Sequence, residues 1–125
     1  KPNTAGGMNA LGYTLLLLPN PNIDEAFQLI QAAYQQEPES AAINDSMGWA
    51  YFLKGETEMA LPYLEFAFKE YPDPEVASHL GEVYWKLGRQ QDAKRVFEQG
   101  LQQKEGKRAM LLQTMRRLGV PSPTK

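Results

Sequence analysis

Three residues in the second half of this 125-residue chain have types and a spacing that could support chemistry. The single histidine, His79, lies four residues after Glu75 and three residues before Glu82. Side chains three or four residues apart share one face of a helix, so this trio could hold a metal ion or transfer protons. Whether it does either depends on the elements around that helix.

A metal site would need more ligands than the trio supplies. Metal sites in helical bundles combine Glu and Glu-x-x-His sets from several facing helices. The chain has no second histidine, and Asp45 is the one nearby carboxylate that we expect from another part of the fold. We therefore predict no metal and no cofactor, and we interpret the trio as a solvated helix face.

The sequence also lacks the usual signs of an enzyme. It contains no cysteine, which excludes disulfides, thiolate zinc sites and a cysteine nucleophile. No Gly-rich phosphate loop, serine triad or paired acid–base site is visible. We predict that the chain is not an enzyme and has no catalytic residue.

The charges divide the chain into two poles. Residues 1–85 contain three Lys or Arg against twelve Asp or Glu, whereas residues 86–125 contain ten against three. These poles are either solvated faces or surfaces that steer a partner, or a second copy, into place. No aromatic stacking platform accompanies the basic residues, so we expect no nucleic-acid binding. The apolar run from Leu15 to Leu18 is far shorter than the roughly 20 residues of a membrane helix, and we predict no transmembrane segment.

The dominant pattern is an internal repeat. A glycine recurs as Gly12, Gly48 and Gly81, and an alanine recurs as Ala26, Ala60 and Ala93. The first glycine interval is 36 residues and the first alanine interval is 34, so two extra residues lie in the turn "LPNPN". The second interval is 33 residues for both. Small residues at these positions let one helix approach the next closely.

Other landmarks indicate the helix ends and the core. Gly55 and Gly88 suit the left-handed residue that ends a helix. Asn22 with Glu25 reads as a capping box, and Asp73-Pro74 as a helix start. An apolar stripe at helical spacing is predicted to be buried; it comprises Leu11, Met47 and Leu80 with Leu15, Tyr51 and Tyr84.

We therefore predict an all-α fold of three helix–turn–helix pairs and a seventh helix. The predicted helices are 6–18 with 23–36, 41–54 with 58–70, 74–87 with 91–103, and 107–118. The repeats are 6–38, 41–72 and 74–105, followed by a capping helix at 107–118 and a tail at 119–125 that we expect to be frayed. The apolar stripe of the cap consists of Met110, Leu111, Met115 and Leu118. Its solvent-exposed face is predicted to carry Lys107, Arg108, Arg116 and Arg117. Pro62 predicts a mild bend in its helix.

This repeat resembles the tetratricopeptide repeat family, whose signature places Leu-Gly-x-x-Tyr before Ala-x-x-x-Phe and a closing proline. The resemblance covers about residues 8–118. It implies a right-handed superhelical solenoid that serves as a protein-interaction scaffold. Two departures stand out: Met8, Asn44 and Ala77 replace the early Trp, and Glu105 replaces the last closing proline.

The resemblance also implies which side chains line the concave groove. Transferred position by position, they are Asn9, Tyr13, Leu16, Asp45, Ser46, Trp49, Phe52, Glu75, Ser78, His79, Glu82 and Trp85. Such a groove is aromatic and acidic, so it would bind a protein or peptide with apolar anchors beside Lys or Arg. Phe52 and Trp85 could instead pack between helices, and Trp49 could lie on either side. The Lys and Arg clamp of members that bind chaperone tails is absent.

A narrower resemblance concerns the phrases "MNALGYTL", "NDSMGWAYFLKG" and "YPDPEVASHLGEVYWKLGRQQDA". They are similar to the C-terminal repeats of tetratricopeptide lipoproteins of Gram-negative bacteria. This implies a periplasmic adaptor held at the outer membrane by an anchor outside these residues; the alternative is a cytoplasmic protein. The first helix offers apolar surface from Tyr13 to Leu18 without a preceding repeat, which indicates a fragment of a longer solenoid. The alternative function is therefore a self-associating assembly module, a homo-oligomer joined through this helix.

Overall fold

The computed structural model describes residues 4–103 and 108–121. These residues form seven α-helices and no strand, which confirms the all-α prediction. The helices are α1 (Ala5–Leu16), α2 (Ile23–Gln36), α3 (Ala41–Leu53), α4 (Thr57–Glu70), α5 (Pro74–Lys86), α6 (Gln90–Leu101) and α7 (Arg108–Leu118). Each boundary lies within two residues of the predicted one. Glu105, Lys107 and the last four residues of the predicted tail lie outside the described residues.

The helix ends follow from local side-chain and backbone chemistry. The side chain of Asn22 accepts a hydrogen bond from the Glu25 N–H at 3.1 Å, and Asp73 accepts one from the Val76 N–H at 2.9 Å. Each bond satisfies one of the N–H groups that the first turn of a helix leaves unpaired. Gly55 has a φ of 90°, the left-handed conformation that we predicted for it.

The helices pack in sequence-adjacent pairs, and α7 covers the end of the stack. α1 contacts α2, α3 contacts α4 and α5 contacts α6, while α7 packs on α5 and α6. The repeated glycines make this close packing possible: a Cβ on Gly81 would lie 2.1 Å from Cε1 of Phe97. In α7, Leu111 and Met115 are buried, Met110 and Leu118 are half-buried, and Arg108, Arg116 and Arg117 are exposed.

One member of the predicted buried stripe is exposed. Leu11 is 47% exposed, whereas Met47 and Leu80 at the equivalent positions are each 2% exposed. Met47 and Leu80 pack into core clusters to which earlier helices contribute. Among the described residues no helix precedes α1, so Leu11 has no such neighbour. The prediction of burial was therefore wrong for Leu11.

The last two residues of the apolar run from Leu15 to Leu18 also lie on the surface. The helix ends at Leu16, two residues earlier than predicted, and Leu17 and Leu18 are exposed. No helix within residues 4–103 and 108–121 has the length and apolar character to cross a membrane.

Candidate functional site

Predicted groove residues from three helices meet on one face, which we call the inner face. Its centre consists of Tyr13 from α1, Asp45 and Trp49 from α3, and Glu75 and His79 from α5. Residues separated by as many as 66 positions in sequence touch here. The stacking of the first helix of each pair therefore brings these side chains together.

His79 lies at the centre of a hydrogen-bonded network. Its Nδ1 is 2.9 Å from Oδ1 of Asp45, and its Nε2 is 3.3 Å from the Tyr13 hydroxyl oxygen. The Tyr13 hydroxyl donates to a carboxylate oxygen of Glu75. Because a tyrosine hydroxyl has a single proton, its oxygen can then only accept from His79. The geometry therefore favours a His79 ring that is protonated on both nitrogens.

The pKa of His79 follows from two opposing influences. Burial would lower this pKa, because desolvation penalises the charged ring. The carboxylates of Asp45, Glu75 and Glu82 outweigh burial and raise the pKa of His79 above its ordinary value. Burial and the hydrogen bond to Glu75 raise the pKa of Tyr13, so its hydroxyl keeps its proton.

Aromatic rings enclose the histidine. The Trp49 indole stacks on the His79 ring with a centroid separation of 4.1 Å, and Phe52 stacks on Trp49 at 4.9 Å. Tyr13 approaches the His79 ring edge-on at 6.0 Å. A cationic ring against an aromatic face is electrostatically favourable, so Trp49 supports the charged state of His79.

This enclosure corrects our interpretation of the trio as a solvated face. His79 is 1% exposed and Glu82 is also buried, while Glu75 is half-buried. The interpretation failed because the stacking of repeats brings Tyr13 and Trp49 onto α5, which the spacing within α5 alone does not reveal.

Glu82 lies apart from the network and is paired with the capping helix. Arg117 of α7 donates two hydrogen bonds to its carboxylate, at 2.8 and 3.0 Å. One turn earlier, the hydroxyl oxygens of Ser78 and Thr114 lie 2.7 Å apart. The sequence predicted that Arg117 lies on the solvent-exposed side of α7 and gave no signal for Thr114. The contrast between the acidic first pole and the basic α7 was the available signal for the Arg117 pairing.

A small pocket lies beside the network, between the N-terminal halves of α3 and α5 and the middle of α1. Its volume is about 170 Å³, and its lining comprises Asn9, Ala10, Tyr13, Ala42, Asp45, Ser46, Tyr71, Asp73, Glu75 and Val76. Three of these ten residues are carboxylates and none is basic. Burial raises the pKa of Asp73 more than its hydrogen bond from Val76 lowers it.

Asn9 contributes a buried polar atom to this pocket, and Asp73 contributes a carboxylate that we did not predict there. The Oδ1 atom of Asn9 is buried and has no hydrogen-bond partner among the described residues. Asp73 was predicted only as the cap of α5, and its place in the pocket was missed. Its position after Tyr71-Pro72 gave no sign that α1 approaches it.

The remaining predicted groove residues divide between the inner face and the core. Ser46 lines the pocket, and its hydroxyl donates to the Ala42 carbonyl at 3.2 Å. Leu16 is buried in the core cluster of α1–α3, and Trp85 packs half-buried against the cluster of α4–α7. Phe52 packs half-buried against the same cluster, so Phe52 and Trp85 both follow the alternative in which they pack between helices.

The network does not have the arrangement of a metal site. Within residues 4–103 and 108–121, no group of three or more His, Asp or Glu side chains is positioned to hold a metal ion. Around His79, the Tyr13 hydroxyl stands between the imidazole and Glu75. Both ring nitrogens are occupied by hydrogen bonds to protein groups.

Comparison with known proteins agrees with the repeat and the fold. Residues 74–106 match the sequence profile of the tetratricopeptide repeat. A TPR repeat-containing protein of Pseudomonas aeruginosa is 45% identical over 82 residues, which are 66% of this chain and 14% of that protein. This chain thus spans a small part of that relative's length.

Solved structures of tetratricopeptide repeat proteins share the fold. A thermophilic TPR protein of Thermus thermophilus superposes with a TM-score of 0.74 at 22% identity, over 96% of this chain and 66% of that one. MamA superposes with a TM-score of 0.71 at 22% sequence identity, over 96% of this chain and 71% of that one. PilF of Pseudomonas aeruginosa superposes with a TM-score of 0.71 at 22% sequence identity, over 93% of this chain and 52% of that one. This fold generally serves as a non-catalytic protein-interaction module. Residues 74–106 are thus a tetratricopeptide repeat, and the chain has the fold of tetratricopeptide repeat proteins.

Proposed function

We propose that the inner face binds a segment of a partner protein in which Lys or Arg stands beside apolar side chains. The observation that carries this proposal is the pocket with Asp45, Asp73 and Glu75 in its lining and no basic residue there. His79 offsets one of these negative charges and leaves an excess. An incoming ammonium or guanidinium group would therefore be attracted to this end of the inner face.

Aromatic side chains next to the pocket supply the apolar part of the site. Tyr13 lines the pocket, and Trp49 and Phe52 continue the surface as a half-buried stack. Tyr and Trp are the residues most often found at binding hot spots. At the same end, the buried Oδ1 of Asn9 is an acceptor that has no hydrogen-bond partner within the described part of the chain.

The hydrogen-bonded network would hold this surface ready for a partner. His79 links α5 to Asp45 on α3 and to Tyr13 on α1. A surface fixed before binding loses less conformational freedom when the partner arrives, which favours affinity.

Peptide selection tests the proposal directly. Random dodecapeptides displayed on phage are selected against the chain, and affinities are measured by tryptophan fluorescence. We expect enriched peptides to carry Lys or Arg next to an aromatic or aliphatic residue. Glu75→Gln, which keeps the shape but removes the charge, should weaken binding about tenfold.

The matched control is Glu98→Gln, an identical charge change on an exposed position of α6. It should leave the affinity unchanged apart from a small, salt-dependent effect. Equal weakening by both variants, or enrichment of acidic peptides, would contradict the proposal.

A second candidate function is self-association through α1. Leu11, Leu17 and Leu18 are exposed apolar side chains on this helix and its C-terminal end, and exposed apolar patches often mark interaction sites. Sedimentation velocity at several concentrations should show a dimer that Leu11→Gln with Leu18→Gln disrupts. If salt weakens the dimer, the two charged poles also contribute to the contact. A monomer at all concentrations excludes this function.

We also propose a periplasmic location at the outer membrane. Its support is the likeness of the three repeats to those of Gram-negative lipoproteins. Fractionation of cells that produce the full-length protein tests it: the protein should appear with the outer membrane, and recovery from the cytosol would refute the assignment.

A further inference from the structure

We propose a second docking surface, the outer pocket, which binds a partner segment that carries an aromatic or aliphatic anchor next to Lys or Arg. It lies between α2 and α4, and none of its lining residues belongs to α1 or α5. Its volume of about 510 Å³ is three times that of the inner pocket. The proposal is independent of the function assigned to the inner face.

An apolar stripe on α4 forms one wall of the outer pocket. Pro62 and Tyr63 lie three and four residues after Met59, and Phe66 lies four and three residues after them, so the four side chains share a helix face. Met59 is 50% exposed, and Met59, Pro62 and Phe66 pack against neither core cluster. These three side chains therefore do not serve the stability of the core.

The other repeats show that the fold does not require this stripe. The positions equivalent to Met59 hold Glu25 and Asp92, those equivalent to Pro62 hold Gln28 and Arg95, and those equivalent to Phe66 hold Ala32 and Gln99. Five of these six residues are polar or charged, as expected for the solvent face of an amphipathic helix. An apolar stripe in the second repeat alone indicates a contact with something other than the repeat's own neighbours.

The charges around the pocket select the chemistry of the occupant. Glu39 and Glu58 are the charged residues of its lining, and none of the nine lining residues is basic. Pro62 has no N–H, so the backbone carbonyl of Glu58 lacks the donor that a helix normally supplies. A cationic side chain beside an apolar anchor complements both features.

The pocket is built from fixed elements. Asn44 donates hydrogen bonds to the carbonyls of Pro38 and Ser40, both at 2.9 Å, and so holds the α2–α3 connection that forms the rim. The rings of Tyr34 and Tyr63 meet edge to face at 5.6 Å on the floor. The cavity is therefore preformed, as small-molecule and anchor pockets generally are.

Three indole compounds that differ in charge test the proposal by NMR: tryptamine, tryptophol and indole-3-propionate. We expect tryptamine to shift the Met59 methyl and Phe66 ring signals and to bind about threefold more tightly than tryptophol. Indole-3-propionate should bind most weakly. Equal affinities, or shifts confined to the inner face, would overturn the proposal.

Variants taken from the other repeats separate binding from folding. Met59→Glu and Phe66→Gln introduce residues that the fold already accepts at these positions, so they should abolish tryptamine binding at the outer pocket without loss of stability. Glu98→Gln, at an exposed position of α6 that lines neither pocket, should leave tryptamine binding at the outer pocket unchanged. If the Met59 signal shifts with protein concentration alone, the occupant is a second copy and the proposal is wrong.

Discussion

α1 and α5 occupy equivalent places in their repeats, yet their surroundings differ. α1 buries only Ala5, Gly12 and Leu16, whereas α5 buries Pro74 and every residue from Val76 to Tyr84. α5 is enclosed by α4, α6 and α7, and Tyr13 reaches it across the inner face. The repeat pattern specifies which side chains face a neighbour, and the neighbour must be present for burial to follow.

The enclosure of α5 changes what its polar residues can do. His79 and Glu82 are buried, and each has an oppositely charged partner, Asp45 or Arg117. Buried charges are rarely tolerated without such pairing. α1 buries no charged residue, and its own contribution to the network is the Tyr13 hydroxyl. The hydrogen-bonded network of the inner face therefore depends on α5.

The largest expected effect comes from one substitution made at the same position of both helices. Leu80→Ala should lower the free energy of unfolding by about 2–5 kcal/mol, because it leaves a cavity in the core. Leu11→Ala should change it by less than about 0.5 kcal/mol, because the side chain is already exposed. Urea denaturation measures both. Similar losses would show that α1 is covered in solution and would contradict the comparison.

A glycine substitution sharpens the same contrast. Gly81→Ala places a methyl group 2.1 Å from a carbon of the buried Phe97 ring, so we expect a loss of about 1–3 kcal/mol from overpacking. Gly6→Ala in α1 meets no atom within 4 Å and should gain about 0.5–1 kcal/mol from helix propensity. Thermal unfolding should therefore shift in opposite directions, and a shared direction would contradict this account.

The pairing of α5 with the cap predicts a smaller effect. Arg117→Gln leaves the buried Glu82 carboxylate without its cation. The Arg117 side chain is 57% exposed, so solvent screening limits the loss to about 1–2 kcal/mol. Arg116→Gln, an equal charge change at an exposed neighbour, should alter stability by less than about 0.5 kcal/mol. If the two variants have equal stability, the Arg117–Glu82 pair does not contribute to the free energy of unfolding.

The smallest effect is a dependence of stability on pH. Because the pKa of His79 is raised in the folded state, its contribution is complete below the unfolded value of about 6.5. That contribution is lost as the pH rises through the higher folded value. Stability should therefore fall above about pH 6.5, and His79→Gln should remove that slope. A wild-type slope that persists in the variant would assign the titration to another group.

The repeat pattern predicted the helices well because each landmark acts locally. Gly55 ends a helix through its own φ, and Asn22 caps the next one within three residues. The resemblance to the tetratricopeptide repeat family also implied that Tyr13, Asp45 and His79 would share a face. It could not predict the burial of His79, because that depends on how far α1 curves over α5. It likewise missed the Arg117 pairing, which depends on the rotation of α7.

The outer pocket shows a second limit of the repeat pattern. Repeats are recognised from residues that recur at equivalent positions. Met59 and Phe66 are informative for the opposite reason, because they differ from the residues at the equivalent positions of the other repeats. The difference was visible in the sequence, but it gained meaning only when the structure showed these side chains around a common cavity.

The proposed recognition of a positive charge by the inner face is tested most directly by one charge-exchange measurement. A selected peptide and its analogue with norleucine in place of lysine are titrated into the chain and into Glu75→Gln. The account predicts that the wild-type chain prefers the lysine peptide by about tenfold and that Glu75→Gln loses most of this preference. An equal affinity of the wild-type chain for both peptides would contradict it.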